Sequence, residues 1–412
     1  MKKITLKFEN LRFSEKNEKE NKIRVSFMNI YYFYLDKKDL LEIGNYKINQ
    51  TNNNEIEFSS EKKEANINQK FSFLLDKGFK ELMSSINNKP ALYIHKNSGI
   101  PLIGSNEFGI IDRKTNTIEI KPLTTCNIDC IFCSVDHTKR SSDIIVEADY
   151  LVEELNKVIE IKKNNVNIHI GSQGDPSLYA DLEYLVKKIR ENKKVRAISM
   201  VTNGILITKE RAERLIKAGL SHFHFSIHSL DEKKASYLAN SFYPVKKVMN
   251  VAEFVAKNAH CLIVPVYVPG INDNDLEDII LFAKKINADI GIQNFLEYDF
   301  GKKPVKSISF DEFYKKLKEI EQKIKKEKKI DIDLTKITSD LTILQDNTLK
   351  KPFKKNDIIE VELKAKDRLK NSVIGVSKNR VITVINCTKT QGKIKVKLIR
   401  DKDNVFVAVP LV

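Results

Sequence analysis

Apolar and polar positions along the chain change rhythm twice. Between residues 1 and 113, Ile23-Arg24-Val25-Ser26-Phe27 and Tyr31-Tyr32-Phe33-Tyr34-Leu35 alternate with period two, which predicts strands. A polar, Asn-rich stretch at 49–54 follows, then a predicted helix around 79–86. This reads as a small α+β domain without a chemical motif.

From 114 to 335 short apolar runs alternate with amphipathic ones. Strands are predicted at 118–120, 166–170, 197–201, 222–227, 261–268 and 289–295, and helices at 146–161, 182–190, 209–218, 245–256, 275–286 and 310–324. Repeated βα units predict a parallel sheet with helices outside, because parallel strands need right-handed crossovers. Six units fall short of a closed eight-stranded barrel, so the expectation is an α/β fold with an open, partial (β/α)6 barrel. Residues 336–352 read as a polar linker. Beyond it, strands predicted at 357–363, 372–376, 380–386, 393–399 and 405–409 suggest a small all-β barrel over 353–412.

Composition narrows the class. No stretch reaches the roughly 18 apolar residues of a membrane span, and the start, Met1-Lys2-Lys3-Ile4-Thr5-Leu6-Lys7, lacks the apolar block of a secretory signal. A cytoplasmic protein off the membrane is expected. The net charge is +16, and residues 351–412 alone hold 15 Lys+Arg against 6 Asp+Glu. Such an excess suits a polyanionic partner, and equally a lysine-rich surface that is merely solvated.

Of five cysteines, Cys126, Cys130 and Cys133 crowd onto one segment directly after the first strand of the parallel series, while Cys261 and Cys387 stand apart and read as small buried hydrophobes. Three thiolates can hold three irons of a [4Fe-4S] cube and leave the fourth open to an outside ligand. The same spacing with His137 would also complete a Cys₃His zinc knuckle, which would make the protein a non-enzymatic, zinc-stapled RNA binder. Special residues recur at the carboxyl ends of the predicted strands, where a βα barrel carries its chemistry: Gly171-Ser172-Gln173-Gly174-Asp175-Pro176, Thr202-Asn203-Gly204, Ser226 with His228, Pro269-Gly270 and Gln293. A structural zinc loop would need none of them.

Cys126-xxx-Cys130-xx-Cys133, with Phe132 before the last cysteine, resembles the signature of the radical S-adenosylmethionine (radical SAM) superfamily, and the resemblance covers about 114–330. It implies a [4Fe-4S] cluster on the three cysteines, S-adenosylmethionine on the open iron, and reductive cleavage to a 5′-deoxyadenosyl radical that abstracts a substrate hydrogen. It also implies an external low-potential electron donor of the ferredoxin or flavodoxin type. Gln173-Gly174-Asp175-Pro176 resembles the family's Gly-Gly-Glu-Pro turn, departing at Gln173 and Asp175; an ordinary Gly-Asp-Pro turn is the plain alternative. By the same resemblance Asn203 and Ser226 fall among the polar strand ends around the cofactor, and the backbone beside Phe132 near adenine.

His222, His224, Ser226 and His228 alternate onto one face, as either a three-His metal site or a polar barrel lining. His228, nearest the strand end, is the candidate for substrate contact and catalysis. Lys139 and Arg140 are candidates for a carboxylate or phosphate. Two separated thiols, Cys261 and Cys387, cannot ligate a second cluster, which argues against methylthiolation.

Residues 353–411 resemble the TRAM domain, an OB-like RNA-binding barrel, and the layout resembles an archaeal-type group of iron-sulfur oxidoreductases. Lys393, Lys395 and Lys397 alternate on one strand face, and Arg368, Lys370 and Arg380 extend the candidate RNA-binding stripe. The expected function is radical modification of tRNA or rRNA, with the same chemistry on a peptide or small metabolite as the alternative. The oligomeric state is not encoded in any of these features.

Overall fold

In a computed structural model of the chain, residues 2–15, 21–49, 51, 53–171, 173–335 and 341–411 are described. Ser172 and part of the expected linker, 336–340, lie outside them. In the amino-terminal part the expected alternation is realised: Lys22–Phe27 and Tyr31–Asp36 pair antiparallel, burying Ile23, Val25 and Phe27 with Tyr31, Phe33 and Leu35. Leu11–Ser14 and Met83–Ser84 complete that sheet, and Lys2–Lys7, Glu55–Ser60 and Asn45–Ile48 form a second. The helix expected at 79–86 runs instead over Glu64–Lys80. Its buried face, Ile67, Phe71, Leu74 and Gly78, follows helical spacing, and a Cβ on Gly78 would lie 2.3 Å from the Phe33 ring.

The central sheet runs in chain order through Thr117–Lys121, Val166–Ile170, Val195–Thr202, His222–Phe225, His260–Ile263 and Asp289–Ile290, all parallel. Helices Ala148–Glu160, Leu182–Arg190, Lys209–Ala218, Val245–Asn258 and Asp275–Lys285 connect them, each burying an apolar stripe. One edge is closed by Gly109–Asp112, antiparallel to Thr117–Lys121, so the expected division at 113 falls in the turn of that hairpin. Asp143–Val146 is a strand, parallel to Ala91–Ile94, and the helix expected from 146 begins at Ala148.

The expected strands 261–268 and 289–295 are each broken. Val266–Tyr267 and Gln293–Asn294 pair with each other beyond Pro265, which has no N–H to give to the ladder and accepts from Gln293 N at 2.8 Å. The break splays the carboxyl end of the sheet. Helix Glu232–Ala239 is absent from the sequence expectation; Asp231 caps it, accepting from Lys234 N at 2.8 Å.

The carboxyl-terminal unit is a closed barrel of Ile358–Lys366, Ser372–Ser377, Arg380–Ile385, Val407–Pro410 and Gly392–Arg400, consistent with a TRAM-like fold. Val361, Val373, Ile382, Val384, Val396, Leu398 and Phe406 fill it. It does not hang free. Phe406 N donates to Gly104 O at 2.9 Å and Val381 N to Ile103 O at 2.8 Å. A Cβ on Gly104, which has φ +128°, would meet Val381 O at 2.1 Å, so only glycine admits this approach. Among the described residues no helix is long and apolar enough to cross a membrane.

Candidate active site

The splayed carboxyl end of the sheet opens onto a cavity of about 350 Å³. Cys126, Cys130, Cys133, Phe132, Gln173, Gly174, Asp175, Asn203, Ser226 and His228 all line it, although they come from four successive strand ends. The cysteine loop is held at several points. Asp129 N and Ile131 N donate to Ala239 O and Leu238 O at 3.1 and 3.0 Å, at the end of the helix that the sequence reading missed. Cys133 O accepts from Lys302 N at 2.9 Å, and Lys302 Nζ pairs with the Asp129 carboxylate at 2.6 Å.

The turn 173–175 lies directly on the residues before the first cysteine. Asp175 N donates to Thr125 O at 2.9 Å, and a Cβ on Gly174 would sit 1.9 Å from that same oxygen. Thr125 is held in turn by the buried Tyr31 hydroxyl of the amino-terminal sheet, 2.7 Å away. The Asp175 carboxylate accepts from Ser177 N at 2.8 Å, Ser177 Oγ at 2.5 Å, Thr202 Oγ1 at 2.9 Å and Asn203 N at 2.6 Å. One carboxylate therefore ties the ends of two strands together. Asn203 Nδ2 donates to Asn127 Oδ1 at 2.8 Å, and the buried Tyr243 hydroxyl reaches both Asn203 O and Ser226 O, at 2.8 and 3.1 Å. Nothing in the sequence pattern marks Tyr243 for that task.

Gln173 is one of the two positions at which the turn departs from the Gly-Gly-Glu-Pro pattern it resembles. Its carbonyl accepts from Arg140 Nη2 at 3.0 Å and from Arg368 Nη2, and its Oε1 accepts from Arg368 Nη1 at 2.9 Å. Arg140 is buried, not free in a loop, and its Nη1 also donates to Thr124 O at 3.2 Å. Lys139 Nζ, its neighbour, donates to Asp299 O at 3.2 Å.

The histidines diverge. His222 faces His260 at 4.6 Å, His224 faces His169 at 5.6 Å, and His228 meets Phe132 edge-on at 4.7 Å between ring centres. The three-His metal site is therefore corrected to a polar interior shared between neighbouring strands. His228 Nδ1 accepts from Val266 N at 3.0 Å, which fixes the tautomer with Nε2–H as the free donor. Burial pushes its pKa down to about 4, so the ring is neutral near pH 7.

The residues present suit a four-iron cluster. Burial raises the Cys126 thiol to about 12 and Cys130 well above its ordinary value, and the Cys126 and Cys133 charges add to the rise at Cys130. Three soft donors gathered on one cavity wall give up their protons when metal binds. Among the described residues no group of three or more His, Cys, Asp or Glu is placed to hold a single ion. A cube needs no such convergence, since its irons occupy separate corners. His137 and the three cysteines form no such single-ion group, which corrects the zinc-knuckle alternative; His137 Nδ1 lies instead 3.4 Å from the Asp129 carboxylate. Cys261 and Cys387 are buried at 4% and 6% exposure, away from this site.

The expected RNA-binding set does not form one stripe. Lys370, Lys393, Lys395 and Lys397 are exposed, Arg380 is half-buried with its Nη2 on Lys350 O at 3.2 Å, and Arg368 is fully buried. Arg368 is thereby corrected from a surface contact to a core residue. Lys395 and Lys393 stand opposite Glu360 and Glu362 on the neighbouring strand, and Lys393 Nζ lies 3.4 Å from Glu360, which offsets much of their charge.

Residues 120–283 match the model of the Radical SAM superfamily. The chain is 36% identical over 358 residues to an uncharacterized protein of Methanocaldococcus jannaschii, covering 79% of this chain and 82% of that one. It is 25% identical over 305 residues to a probable GTP 3′,8-cyclase of Pyrococcus abyssi, covering 73% and 90%. Among solved structures, Streptococcus suis SuiB bound to its precursor peptide SuiA gives a TM-score of 0.44 at 15% identity, over 79% of this chain and 71% of that one.

Proposed function

The chain is a member of the radical SAM superfamily, and from that membership we propose that it draws a hydrogen atom from a small molecule seated in the cavity its cysteines line. It is an enzyme whose cofactors are a [4Fe-4S] cluster and S-adenosylmethionine. When bound and reduced by an external low-potential donor of the ferredoxin or flavodoxin type, they supply a 5′-deoxyadenosyl radical. The partial (β/α)6 barrel frames the site, preceded in the chain by the amino-terminal sheets, which give way to the central sheet at Gly109–Asp112, and followed by the carboxyl-terminal barrel.

Each residue then has a task. Cys126, Cys130 and Cys133 hold the cluster. Gly174 keeps the turn flat enough to lie on Thr125, and Asp175 ties that turn to the Thr202-Asn203 strand end through Thr202 Oγ1 and Asn203 N while Ser177 N and Oγ brace it from within. Because those donors already occupy its carboxylate, Asp175 positions the cofactor's methionine end through the turn more than by direct contact. Phe132, Asn203 and Ser226 line the cofactor's side of the cavity, and neutral His228 offers Nε2–H to the substrate as a hydrogen-bond donor, not as an acid.

The observation that carries the substrate class is the character of the wall built by the last two strand ends and the segment after them. It presents Val266, Gln293, Asn294, Phe295, Leu296 and Tyr298, and Arg140 is the one Lys or Arg among the described lining residues. Amide and aromatic side chains suit an uncharged, hydrogen-bonding group and not a phosphate, which would call for paired cations. Proteins named as GTP 3′,8-cyclases carry a small-molecule substrate in their name, which favours a small molecule over a polymer; a triphosphate itself would call for more cations than this lining holds, so the likeness bears on the size of the substrate and not on its charge. RNA modification is the second reading, favoured by the exposed Lys393, Lys395 and Lys397.

The reduced enzyme with S-adenosylmethionine is offered either the small-molecule fraction or the total RNA of the same cells. A severalfold rise in 5′-deoxyadenosine with the small-molecule fraction alone is expected. Stimulation by RNA alone, together with tRNA binding whose salt slope is steeper than about −3, the most that three phosphate contacts would give, overturns the substrate assignment.

A further inference from the structure

Arg368 belongs to the turn between Ile358–Lys366 and Ser372–Ser377 of the carboxyl-terminal barrel, and that turn is seated on the loop that follows the cysteines. Ser141 N donates to Arg368 O at 2.6 Å, Ser142 Oγ to Asp367 O at 2.9 Å, and Lys370 N to Lys139 O at 3.1 Å. From this seat the buried guanidinium crosses to Gln173, where it shares one carbonyl oxygen with Arg140. Its Nη1 also reaches Glu107 Oε2 at 3.3 Å. Two buried guanidinium groups on one acceptor repel each other, and such a pair persists only beside compensating negative charge. Glu107 is a single carboxylate. The other anionic groups around Arg368 are Asp143, the adjoining Asp367, whose carboxylate accepts from Arg368 N at 2.7 Å, and Cys133, while its partners Arg140 and Gln173 line the cavity together with all three cysteines.

We infer that Arg368 is a positioning residue of the catalytic centre, supplied by the carboxyl-terminal barrel, that clamps the 173–175 turn and sets a fixed positive charge against the cluster's thiolates. The inference rests on the cluster assignment above. Positive charge favours the more negative, reduced state, so Arg368 raises the potential at which the cluster is reduced. That reduction adds one electron from an outside reductant and moves no proton. The barrel is thus part of the active site whatever it binds on its outer face. Deleting it would remove Arg368 along with the surface lysines, so a deletion alone does not report on RNA binding.

The test is a redox titration of the anaerobic, cluster-loaded full chain with dithionite and mediators, followed by its paramagnetic signal. At the wild-type midpoint, Arg368→Met is expected to show about a tenfold lower ratio of reduced to oxidised cluster, roughly 59 mV for a one-electron couple. Glu107→Gln removes the offsetting carboxylate and is expected to shift the midpoint upward, while Lys366→Gln, on the exposed side of the same turn, titrates with wild type. Coincident midpoints for wild type, Arg368→Met and Glu107→Gln overturn the inference. If Arg368→Met does not retain iron, Glu107→Gln decides alone: an upward shift supports the inference and a wild-type midpoint overturns it. A wild-type chain with no signal at all is a different result, and it overturns the cluster assignment beneath.

Discussion

Cys130→Ala is expected to leave a folded, colourless protein that forms no 5′-deoxyadenosine from S-adenosylmethionine and dithionite. The thiol is one of three on a loop whose backbone is held independently, by Ala239 O, Leu238 O and Lys302. Removing one sulfur therefore changes the stability of the metal-free chain by only about 1 kcal/mol, in line with ordinary side-chain truncation outside a core. Cluster assembly is another matter, since two thiolates leave two irons without a protein ligand. Cys261→Ala is the matched control. Cys261 is buried in the sheet at 4% exposure, its thiol raised to about 12 by burial, and its loss should leave iron content and cofactor cleavage intact. Iron analysis and product chromatography separate the two variants. Cleavage that survives Cys130→Ala would contradict the ligand assignment.

Asp175→Ala should be nearly as damaging, by a different route. Ser177 N, Ser177 Oγ, Thr202 Oγ1 and Asn203 N all donate to this carboxylate at 2.5–2.9 Å, and it is 3% exposed. Alanine would strand several buried donors, each costing about 1–3 kcal/mol, and release the turn from the neighbouring strand. A loss of about 3 kcal/mol in holding the turn corresponds to roughly a hundredfold weaker binding of S-adenosylmethionine. Equilibrium dialysis on the cluster-loaded variant measures it. Asp175→Asn keeps one acceptor oxygen and should lie between. Wild-type affinity in the alanine variant would show that the turn is held without this residue.

Much of this was legible in the chain because each signal was local. The parallel strands follow short runs of three to eight residues, and the cysteine spacing, the Gly174-Asp175-Pro176 turn and the Asn203-Gly204 pair sit where those runs end. Even the terminal barrel follows from alternation, with Val396 and Leu398 turned in and Lys395 and Lys397 out. What was not legible depended on partners distant in the chain. Arg368 sits among surface lysines in sequence, and its burial is decided by Gln173, 195 residues away. The same holds for the lysine stripe, whose partial neutralisation by Glu360 and Glu362 depends on strand pairing that alternation alone does not fix. Pro265 is the exception, a local signal inside an apolar run that marks the break in its strand. Gln173, a departure from the family's turn, has its explanation in the same long-range contact: the side chain that replaces glycine is the one Arg368 holds.

The most direct measurement is magnetic resonance on full-length protein prepared and loaded without oxygen, reduced with dithionite, before and after adding S-adenosylmethionine. The expected result is the signal of a reduced [4Fe-4S] cluster that changes shape when S-adenosylmethionine is added, with Cys130→Ala silent. Protein that carries zinc, shows no such signal and leaves S-adenosylmethionine intact would contradict it.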